Sequence, residues 1–245
     1  MADNMSTFMR NELKYMMDDQ QYKAFRKAIN PYTSPDEYGR YPICNLYYDT
    51  DSFQIVRMSI EKPVYKEKLR VRSYGTPGAQ DTVFLELKKK FKQEVFKRRV
   101  SMRMQDLCDY LEHGIRPDVP QQVMHEIEYF MSLYHLRPKV YIAYDRVALK
   151  GIGDESLRIT FDENIRFRCD DLNLSSGDYG QMILGESQHL TEIKVLGAIP
   201  LWLCRALDEQ KVYPTSFSKY GYCYQNCMMG SNIPVILPAA RKNVA

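Results

Sequence analysis

The sequence lacks the segments and motifs that define several large classes of protein. No run of 18 or more apolar residues occurs, so no transmembrane helix is predicted. The first residues, Met-Ala-Asp-Asn-Met-Ser-Thr, lack the apolar core of a signal peptide, and we therefore expect a cytoplasmic protein. Neither a G-x-x-x-x-G-K-[ST] loop nor a G-x-G-x-x-G motif is present, which argues against a P-loop or a Rossmann-type nucleotide site.

Cysteine and histidine are scarce, with six and four residues in the chain. The cysteines are scattered, as is typical of reduced thiols rather than of a disulfide framework. Only Cys223 and Cys227 are close, and their spacing lacks a second cysteine pair and a nearby histidine. The histidines show no ligand spacing either, so the sequence does not predict a zinc site.

A large excess of one charge is also absent, since 34 Lys and Arg residues face 31 Asp and Glu residues. Any basic site must therefore be local. The chain is 44% hydrophobic and 27% charged, which is typical of a globular protein with a real core. Its 245 residues fit one large domain or two small ones.

The hydrophobic periodicity predicts an α+β fold of about eight strands, mostly antiparallel, with helices between and after them. Asp18 is predicted to cap a helix that ends near Ile29, and a short helix is predicted between Asp51 and Pro63. The predicted strands cover residues 10–17, 42–50, 64–74, 83–91, 93–102, 139–149, 157–168 and 190–196. Further helices are predicted over residues 105–112 and 121–136 and after Pro200, and a terminal segment over residues 216–227.

Cations recur at alternate positions of these strands, where residues two apart share a face. A Glu-x-Lys pattern recurs as well, at Glu12/Lys14, Glu86/Lys88 and Glu192/Lys194. The residues predicted to share polar faces are Lys66, Lys68, Arg70 and Arg72; Glu86, Lys88 and Lys90; Lys97 and Arg99; Tyr144 and Arg146; and Arg158, Thr160 and Asp162.

A single strand of this kind is typical of a sheet with one solvated face. The whole set is less typical, because solvated faces mix signs and each close pair of like charges costs about 1–4 kcal/mol. We therefore expect an anionic ligand. A triphosphate or polyphosphate suits several Arg and Lys side chains, with a divalent metal between phosphate and carboxylates. Double-stranded nucleic acid fits less well, since its readers are usually more basic.

Eight motifs, in order along residues 8–224, resemble the polyphosphate polymerase domain of the vacuolar transporter chaperone (VTC) family. That family belongs to the triphosphate tunnel metalloenzymes (CYTH-like). The resemblance implies an eight-stranded antiparallel β-barrel around a basic tunnel, with helices outside, over residues 8–229, and a flexible tail over residues 230–245. The motifs are Arg10-Asn-Glu-Leu-Lys-Tyr15, Tyr47-Tyr-Asp-Thr50, Lys68-Leu-Arg-Val-Arg72, Glu86-Leu-Lys-Lys-Lys90, Tyr144-Asp-Arg146, Leu157-Arg-Ile-Thr-Phe-Asp162, Thr191-Glu-Ile-Lys194 and Ser216-Phe-Ser-Lys-Tyr220.

The resemblance also implies an activity: transfer of the γ-phosphate of ATP to a growing inorganic polyphosphate chain, with release of ADP and a need for Mn²⁺ or Mg²⁺. Phosphoryl transfer depends mainly on positioning and charge neutralisation, which suits this residue set. Carried over position by position, the implied catalytic residues are Arg70, Arg72, Lys88, Arg146, Arg158, Lys194 and Lys219. The implied substrate-binding residues are Lys14, Lys68, Lys90, Lys97 and Ser218, and the implied metal ligands are Glu192, Glu12 and Glu86.

One departure separates this chain from the hydrolytic relatives, which open with Glu-x-Glu-x-Lys. Here Arg10 takes the first position, which favours phosphate binding over metal binding on that strand and so favours a polymerase. Two alternatives stay open: a metal-dependent inorganic triphosphatase or nucleotidase of the same fold, and a non-catalytic polyphosphate-binding module. The expected ligands are ATP and polyphosphate rather than nucleic acid, and any coupling to a membrane would need a separate membrane protein.

Overall fold

A computed structural model of the protein describes residues 10–92, 94–185 and 187–229, with the side chains of Arg10 and Cys227 left aside. The expected tail over residues 230–245 lies outside the described residues, as do residues 8 and 9 of the expected domain and Gln93. The strands are β1 Arg10–Asp18, β2 Thr33–Asp49, β3 Tyr65–Tyr74, β4 Thr82–Phe91, β5 Glu94–Arg103, β6 Arg137–Gly151, β7 Asp154–Arg168, β8 Gln181–Met182 and β9 Gln188–Leu196. The helices are α1 Asp19–Ile29, α2 Gln54–Ile60, α3 Met104–His113, α4 Gln121–Tyr134, α5 Leu201–Glu209 and α6 Lys219–Cys223, followed by a π-helical turn, Tyr224–Met228.

Local sequence signals account for the start of α1. The Asp18 carboxylate accepts from the backbone N–H of Gln21 at 2.8 Å, and the Gln21 side chain accepts from the backbone N–H of Asp18 at 3.1 Å. This reciprocal pair satisfies N–H groups that the first helical turn leaves without a partner. The helix then buries Phe25 and Ile29, and the prediction of a helix capped by Asp18 is confirmed.

The strands form one antiparallel sheet in the order β1-β9-β7-β6-β2-β3-β4-β5, with β8 paired to β7. The expectation of a closed eight-stranded barrel is wrong in two respects: the sheet has nine strands, and among the described residues no ladder joins β1 to β5. The free edge of β1 is occupied instead by a C-terminal segment, where Tyr15 bridges to Pro214 and the Thr215 N–H donates to the Lys14 carbonyl at 2.7 Å.

The sheet nevertheless curls strongly. Glu12 on β1 and Lys88 on β4 are separated in the sheet order by β9, β7, β6, β2 and β3, yet their side chains approach to 3.7 Å. Only a curved sheet brings such distant strands together, so we call the face that carries both side chains the concave face. Side chains of the opposite, convex face pack under helices: Leu69, Leu85 and Leu87 lie with residues of α3 and α4, and Phe161 and Ile193 lie with residues of α1 and α5.

A third apolar cluster fills part of the concave face. It joins residues of β2, β6 and β7, such as Tyr47, Ile142 and Phe167, to Val56 of α2 and Tyr220 of α6. Asn164 has a positive φ of 51°, and the β6–β7 register shifts nearby. This bulge changes which residues of β7 lie on the concave face. Before Asn164 they are polar, and after it they are apolar. In the described part of the chain, no helix is long and apolar enough to cross a membrane.

Candidate functional site

Charged side chains from both ends and the middle of the sheet converge on the concave face. We call this set the basic face. Its cations come from β1, β3, β4, β5, β6, β7 and β9 and from α6, which matches the alternation expected from the sequence. They are Lys14, Lys66, Lys68, Arg70, Arg72, Lys88, Lys90, Lys97, Arg99, Arg146, Arg158, Lys194 and Lys219, and the carboxylates among them are Glu12, Glu86, Asp162 and Glu192.

Glu86 lies at the centre of one group of cations. Its side chain is only 1% exposed and receives ion pairs from Arg70 at 2.7 Å and Lys97 at 2.7 Å. Arg99 donates to it through Nε at 2.7 Å, and Arg72 lies 4.0 Å away. Register explains the grouping, because Arg70 and Arg99 are the direct neighbours of Glu86 on β3 and β5.

These neighbouring cations determine the charge state of Glu86. Burial alone would raise its pKa, but Arg70, Arg72 and Lys97 outweigh burial and hold the pKa well below its usual range. A carboxylate already surrounded by four cations has little capacity left for a divalent metal. The geometry therefore argues against the metal-ligand role expected for Glu86 and indicates an internal counter-ion that positions arginines.

Asp162 holds a second group. Arg146 donates to it in a bidentate pair at 2.6 and 2.8 Å, and the Lys219 ammonium approaches at 2.5 Å. Burial would raise the Asp162 pKa, yet these two cations hold it well below its usual range. The sequence placed Asp162 on the same face as Arg158 but did not single it out as a site residue. The alternation along β7 was the available sequence signal for Asp162, because its position opposite Arg146 depends on the register of β6 and β7.

Tyr144 links the two groups. Its hydroxyl accepts from Arg72 at 3.2 Å, and the Lys219 ammonium lies 4.2 Å from its ring centroid. Burial raises the Tyr144 pKa, but Arg72, Arg146 and Lys219 lower it more, to about 8. The sequence placed Tyr144 on a polar face with Arg146, and the structure shows in addition that its side chain contacts Arg72 and Lys219.

Two carboxylates stand apart from these groups. Glu192 on β9 forms an ion pair with Lys194, and Glu12 on β1 lies 3.8 Å from Lys14 and 3.7 Å from Lys88. They sit on the same face of adjacent strands, since Glu12 is the register partner of Lys194 and Lys14 of Glu192. Burial raises the Glu192 pKa, but lysines, chiefly Lys194, lower it more, to about 2, so the group is ionised at neutral pH.

These two carboxylates fit a hard divalent cation that also binds phosphate. In the described part of the chain no group of three or more His, Cys, Asp or Glu side chains comes together as an all-protein metal cage. Mg²⁺ is typically held by one or two carboxylates together with substrate phosphates. Glu12 and Glu192 match that pattern, whereas Glu86 does not.

Two lysines of the basic face, Lys68 on β3 and Lys14 on β1, contact neutral oxygens. The Lys68 ammonium donates to Ser218 Oγ at 3.0 Å, and the Lys14 ammonium donates to the Phe217 carbonyl at 2.9 Å. Burial and the neighbouring cations Lys14, Lys66, Lys88 and Arg70 lower the Lys68 pKa to about 7. An anion next to Lys68 would reverse this shift.

Arg158 lies at the margin of the site, whereas its neighbour Lys194 pairs with Glu192. They are register partners on β7 and β9, but Arg158 reaches Asp36 of β2 at 3.4 Å and is 42% exposed. Lys90 lies opposite Lys66 on the neighbouring strand. The structure thus brings the predicted residues onto one face, while their individual roles stay predictions. The Arg10 side chain, which carried the argument against a hydrolase, lies outside the described part.

A short C-terminal segment ties the basic face together. We call residues 214–220 the strap. After its contact with β1, successive residues reach different elements: Phe217 accepts from Lys14, Ser218 accepts from Lys68, and Lys219 donates to Asp162. Tyr220 then donates from its hydroxyl to the buried Asp49 at the end of β2, at 2.9 Å. The strap therefore connects β1, β2, β3 and β7 across the basic face.

Comparison with solved structures agrees with this architecture. An adenylyl cyclase candidate from Hippeastrum, reported to have a dominant triphosphatase activity, superposes with a TM-score of 0.53 at 16% identity, covering 91% of this chain and 97% of its own. An adenylate cyclase candidate from Bacillus halodurans gives 0.52 at 15% identity, covering 86% and 93%. At these identities the likeness shows a shared fold alone.

Sequence comparison is more specific. Subunit 4 of the vacuolar transporter chaperone complex from Trypanosoma brucei brucei is 27% identical over 163 residues, which cover 55% of this chain and 21% of that protein. The Trypanosoma cruzi subunit 4 is 24% identical over 163 residues, covering 54% and 20%. The chain thus spans about a fifth of the length of these curated relatives. The profile of the VTC domain matches residues 9–228, nearly the whole chain, and the chain therefore belongs to the VTC domain family.

Proposed function

We propose that this chain is a polyphosphate polymerase that transfers the γ-phosphate of ATP to a growing inorganic polyphosphate chain and releases ADP. The observation that carries the proposal is the convergence of cations from distant strands on one concave face, where they outnumber the carboxylates. Such a face suits a ligand with a dense line of negative charge. The VTC family membership and the subunit 4 relatives support this choice of reaction.

The arginines are suited to the transferring phosphate. A γ-phosphoryl group passes through a loose transition state whose charge is spread over its oxygens, so fixed cations stabilise it without a protein nucleophile. Glu86 orients Arg70 and Arg99, and Asp162 orients Arg146 and Lys219. These side chains are already held in place before the substrate arrives, which lowers the cost of reorganisation during transfer.

Glu12 and Glu192 would hold Mn²⁺ or Mg²⁺ in this proposal. A bound divalent ion supplies charge neutralisation and orientation at the phosphate oxygens. Both carboxylates face the phosphate-binding side chains from β1 and β9, while Lys14 and Lys194 fix their orientation.

A partner is also part of the proposal. The curated relatives are subunits of a vacuolar transporter chaperone complex, and this chain matches about a fifth of their length. We propose that coupling of synthesis to a membrane, where it occurs, is supplied by a separate membrane protein.

The direct test is to incubate the protein with ATP and Mn²⁺ and to follow ADP and chain length on a gel. We expect ADP together with long phosphate chains, and R70A should reduce both at least 100-fold, since removal of one transition-state donor costs about 10²–10³ in rate. K23Q, on the exposed face of α1, is the matched control and should behave like the parent protein. Absence of chains from the parent protein would overturn the proposal.

A triphosphatase is the second candidate. The adjacent carboxylates Glu12 and Glu192 and the Hippeastrum neighbour, reported as a triphosphatase, favour it. Release of orthophosphate from tripolyphosphate without chain growth would identify this activity. Tight polyphosphate binding without turnover, unchanged in E192Q, would instead indicate a non-catalytic binding module.

A further inference from the structure

Four aromatic rings lie on the concave face beyond the arginines of the basic face. They belong to Tyr38, Tyr41, Tyr74 and Phe84, and we call them the aromatic cluster. Neighbouring rings meet edge to face, with centroids 5.8, 6.0 and 5.7 Å apart in that order. Tyr74 follows Arg72 by two residues on β3, which places it about 7 Å further along the strand on the same face. The cluster therefore continues the basic face with aromatic rather than charged side chains.

The inner rings of the cluster are next to the arginines. Phe84 is the register partner of Arg72, and the Arg99 guanidinium lies 4.2 Å from the centroid of the Phe84 ring. Tyr41 is the register partner of Arg146 on the other side of the sheet. A ligand whose phosphate groups lie among these arginines can therefore reach the rings with the rest of its structure.

Tyr38 reaches the cluster from a bulge in β2. The β2–β6 register shifts across residues 36–39, so this segment leaves the regular ladder. The buried Asp36 carboxylate fixes the bulge, because it accepts the Tyr38 backbone N–H at 3.2 Å and the Arg158 guanidinium at 3.4 Å. One carboxylate thus holds an aromatic ring and a cation of the basic face in fixed relative positions.

The outer rings offer area for a further flat group. Tyr38 is 67% exposed and Tyr74 is 53% exposed, whereas Tyr41 and Phe84 are half-buried. Every nucleobase has a π face that stacks on aromatic side chains, irrespective of its sequence of ring atoms. An inorganic phosphate chain has no such face. The rings therefore suit the base of a nucleotide and add nothing for inorganic phosphate.

We propose that the aromatic cluster is a nucleobase subsite, in which Tyr38 and Tyr74 stack on the adenine of the donor nucleotide while the arginines hold its phosphates. This inference rests on the proposed function and specifies how the site distinguishes ATP from an inorganic triphosphate. The ribose spans the distance between the arginines and the rings. Tyr38 and Tyr74 are thus specificity-determining residues that take no part in the transfer of phosphate.

The test compares two ligands by titration calorimetry with Mg²⁺: tripolyphosphate, and a non-hydrolysable ATP analogue with a β,γ-imido bridge. In Y38A/Y74A the Kd of the analogue should weaken about tenfold, because base stacking is lost, while the Kd of tripolyphosphate should change less than twofold. Y38F/Y74F keeps both rings and should bind both ligands like the parent protein. Y129A removes a ring that is 68% exposed on α4 and should leave both Kd values unchanged.

A second measurement uses the parent protein alone. In saturation-transfer NMR with the analogue, adenine H2 and H8 should receive more saturation than the ribose protons, because the base packs between side chains. Thermal unfolding checks the folding of Y38A/Y74A, and if this variant does not fold, the NMR experiment decides. Saturation that is weaker on adenine than on ribose would overturn the subsite.

Equal weakening of both ligands in Y38A/Y74A, or an unchanged Kd for the analogue, would also overturn it. If the parent protein binds the analogue through the rings but makes no chains from ATP, the proposed polymerase fails while the subsite stands. If the parent protein makes chains and Y38A/Y74A keeps the parent Kd for the analogue, the subsite fails alone.

Discussion

Glu86 shows how one side chain can set the geometry of several others. Its carboxylate is buried and receives Arg70, Lys97 and Arg99 from the two strands, β3 and β5, that flank its own. A buried charge that loses its partner is costly, and here one carboxylate is the shared partner of a whole group. In the sequence, Glu86 belongs to a Glu-x-Lys pattern, which is compatible with a metal ligand as well as with a counter-ion. The choice depends on how many cations reach the carboxylate, and that number is set by strand register.

We therefore expect E86Q to lower the free energy of unfolding by about 3–5 kcal/mol, because the substitution keeps the shape of the side chain but leaves the surrounding cations without a counter-charge. Urea unfolding measures this change, and added tripolyphosphate should recover part of it. E126Q is the matched control, since Glu126 pairs with Lys89 and Arg98 on the convex side in a more exposed setting and should cost less than about 1 kcal/mol. A loss confined to metal-dependent activity, with unchanged stability, would restore the metal-ligand role.

Lys68 predicts a pH dependence. Its pKa is lowered to about 7, against about 10.4 in an unfolded chain. Between these values the unfolded state binds more protons, so the stability of the anion-free protein should rise as the pH rises from about 7 to about 10. Burial and neighbouring charges lower the pKa of Lys66 and Lys88 as well, which adds to the slope.

Urea unfolding at several pH values measures this slope, and K68M should make it shallower. Binding should show the opposite trend, with tripolyphosphate affinity falling as Lys68 loses its proton above about pH 7. A stability that is flat or falls between pH 7 and pH 9 would contradict the assignment.

At the scale of elements, the strap explains why a sheet without a closing ladder can still enclose a site. Tyr220 anchors it to Asp49, whose carboxylate also accepts the N–H groups of Ile55 and Val56 at the start of α2. One buried carboxylate thus fixes both α2 and α6 at the end of β2. This position makes Tyr220 a positioning residue for Lys219, its neighbour in the chain.

Y220F should therefore lower kcat several-fold with a small change in the KM for ATP, because Lys219 loses its fixed position while the arginines stay in place. The lost hydrogen bond to a charged group should also cost about 1.5–3 kcal/mol in unfolding free energy. Steady-state kinetics and urea unfolding measure the two effects. Y213F, on an exposed ring just before the strap, should match the parent protein in both. Equal kinetics for Y220F and the parent protein would remove Tyr220 from the positioning of Lys219.

At the scale of the whole molecule, we expect the proposed binding of polyanions to the basic face to stabilise the folded protein. Ligand that binds only the folded state adds about 2.7 kcal/mol at a concentration of 100 Kd. For a chain of this size we expect tripolyphosphate to raise Tm by about 5–10 °C. Differential scanning calorimetry measures the shift, and sulfate at the same ionic strength should give a smaller one. Equal shifts for both anions would indicate general screening rather than a site.

The sequence predicted most strands and helices because alternation and capping are local signals. The helix after Asp18 and the cationic faces of β3 and β4 are examples. It did not predict β8, which has two residues and too short a pattern to show alternation. It also could not predict that β1 pairs with the strap rather than with β5, since that choice depends on contacts between distant parts of the chain. Asp162 was visible on its face, but its pairing with Lys219 was not.

The strap has a consequence for biosynthesis. Its contacts connect positions that are far apart in sequence, with separations of 203 residues for Lys14 and Phe217, 171 for Asp49 and Tyr220, and 150 for Lys68 and Ser218. Contacts of such range form only after the intervening chain is available. A nascent polypeptide emerging from the ribosome therefore carries its lysines and arginines for most of synthesis without the segment that organises them, and the basic face becomes complete only when the strap has been synthesised.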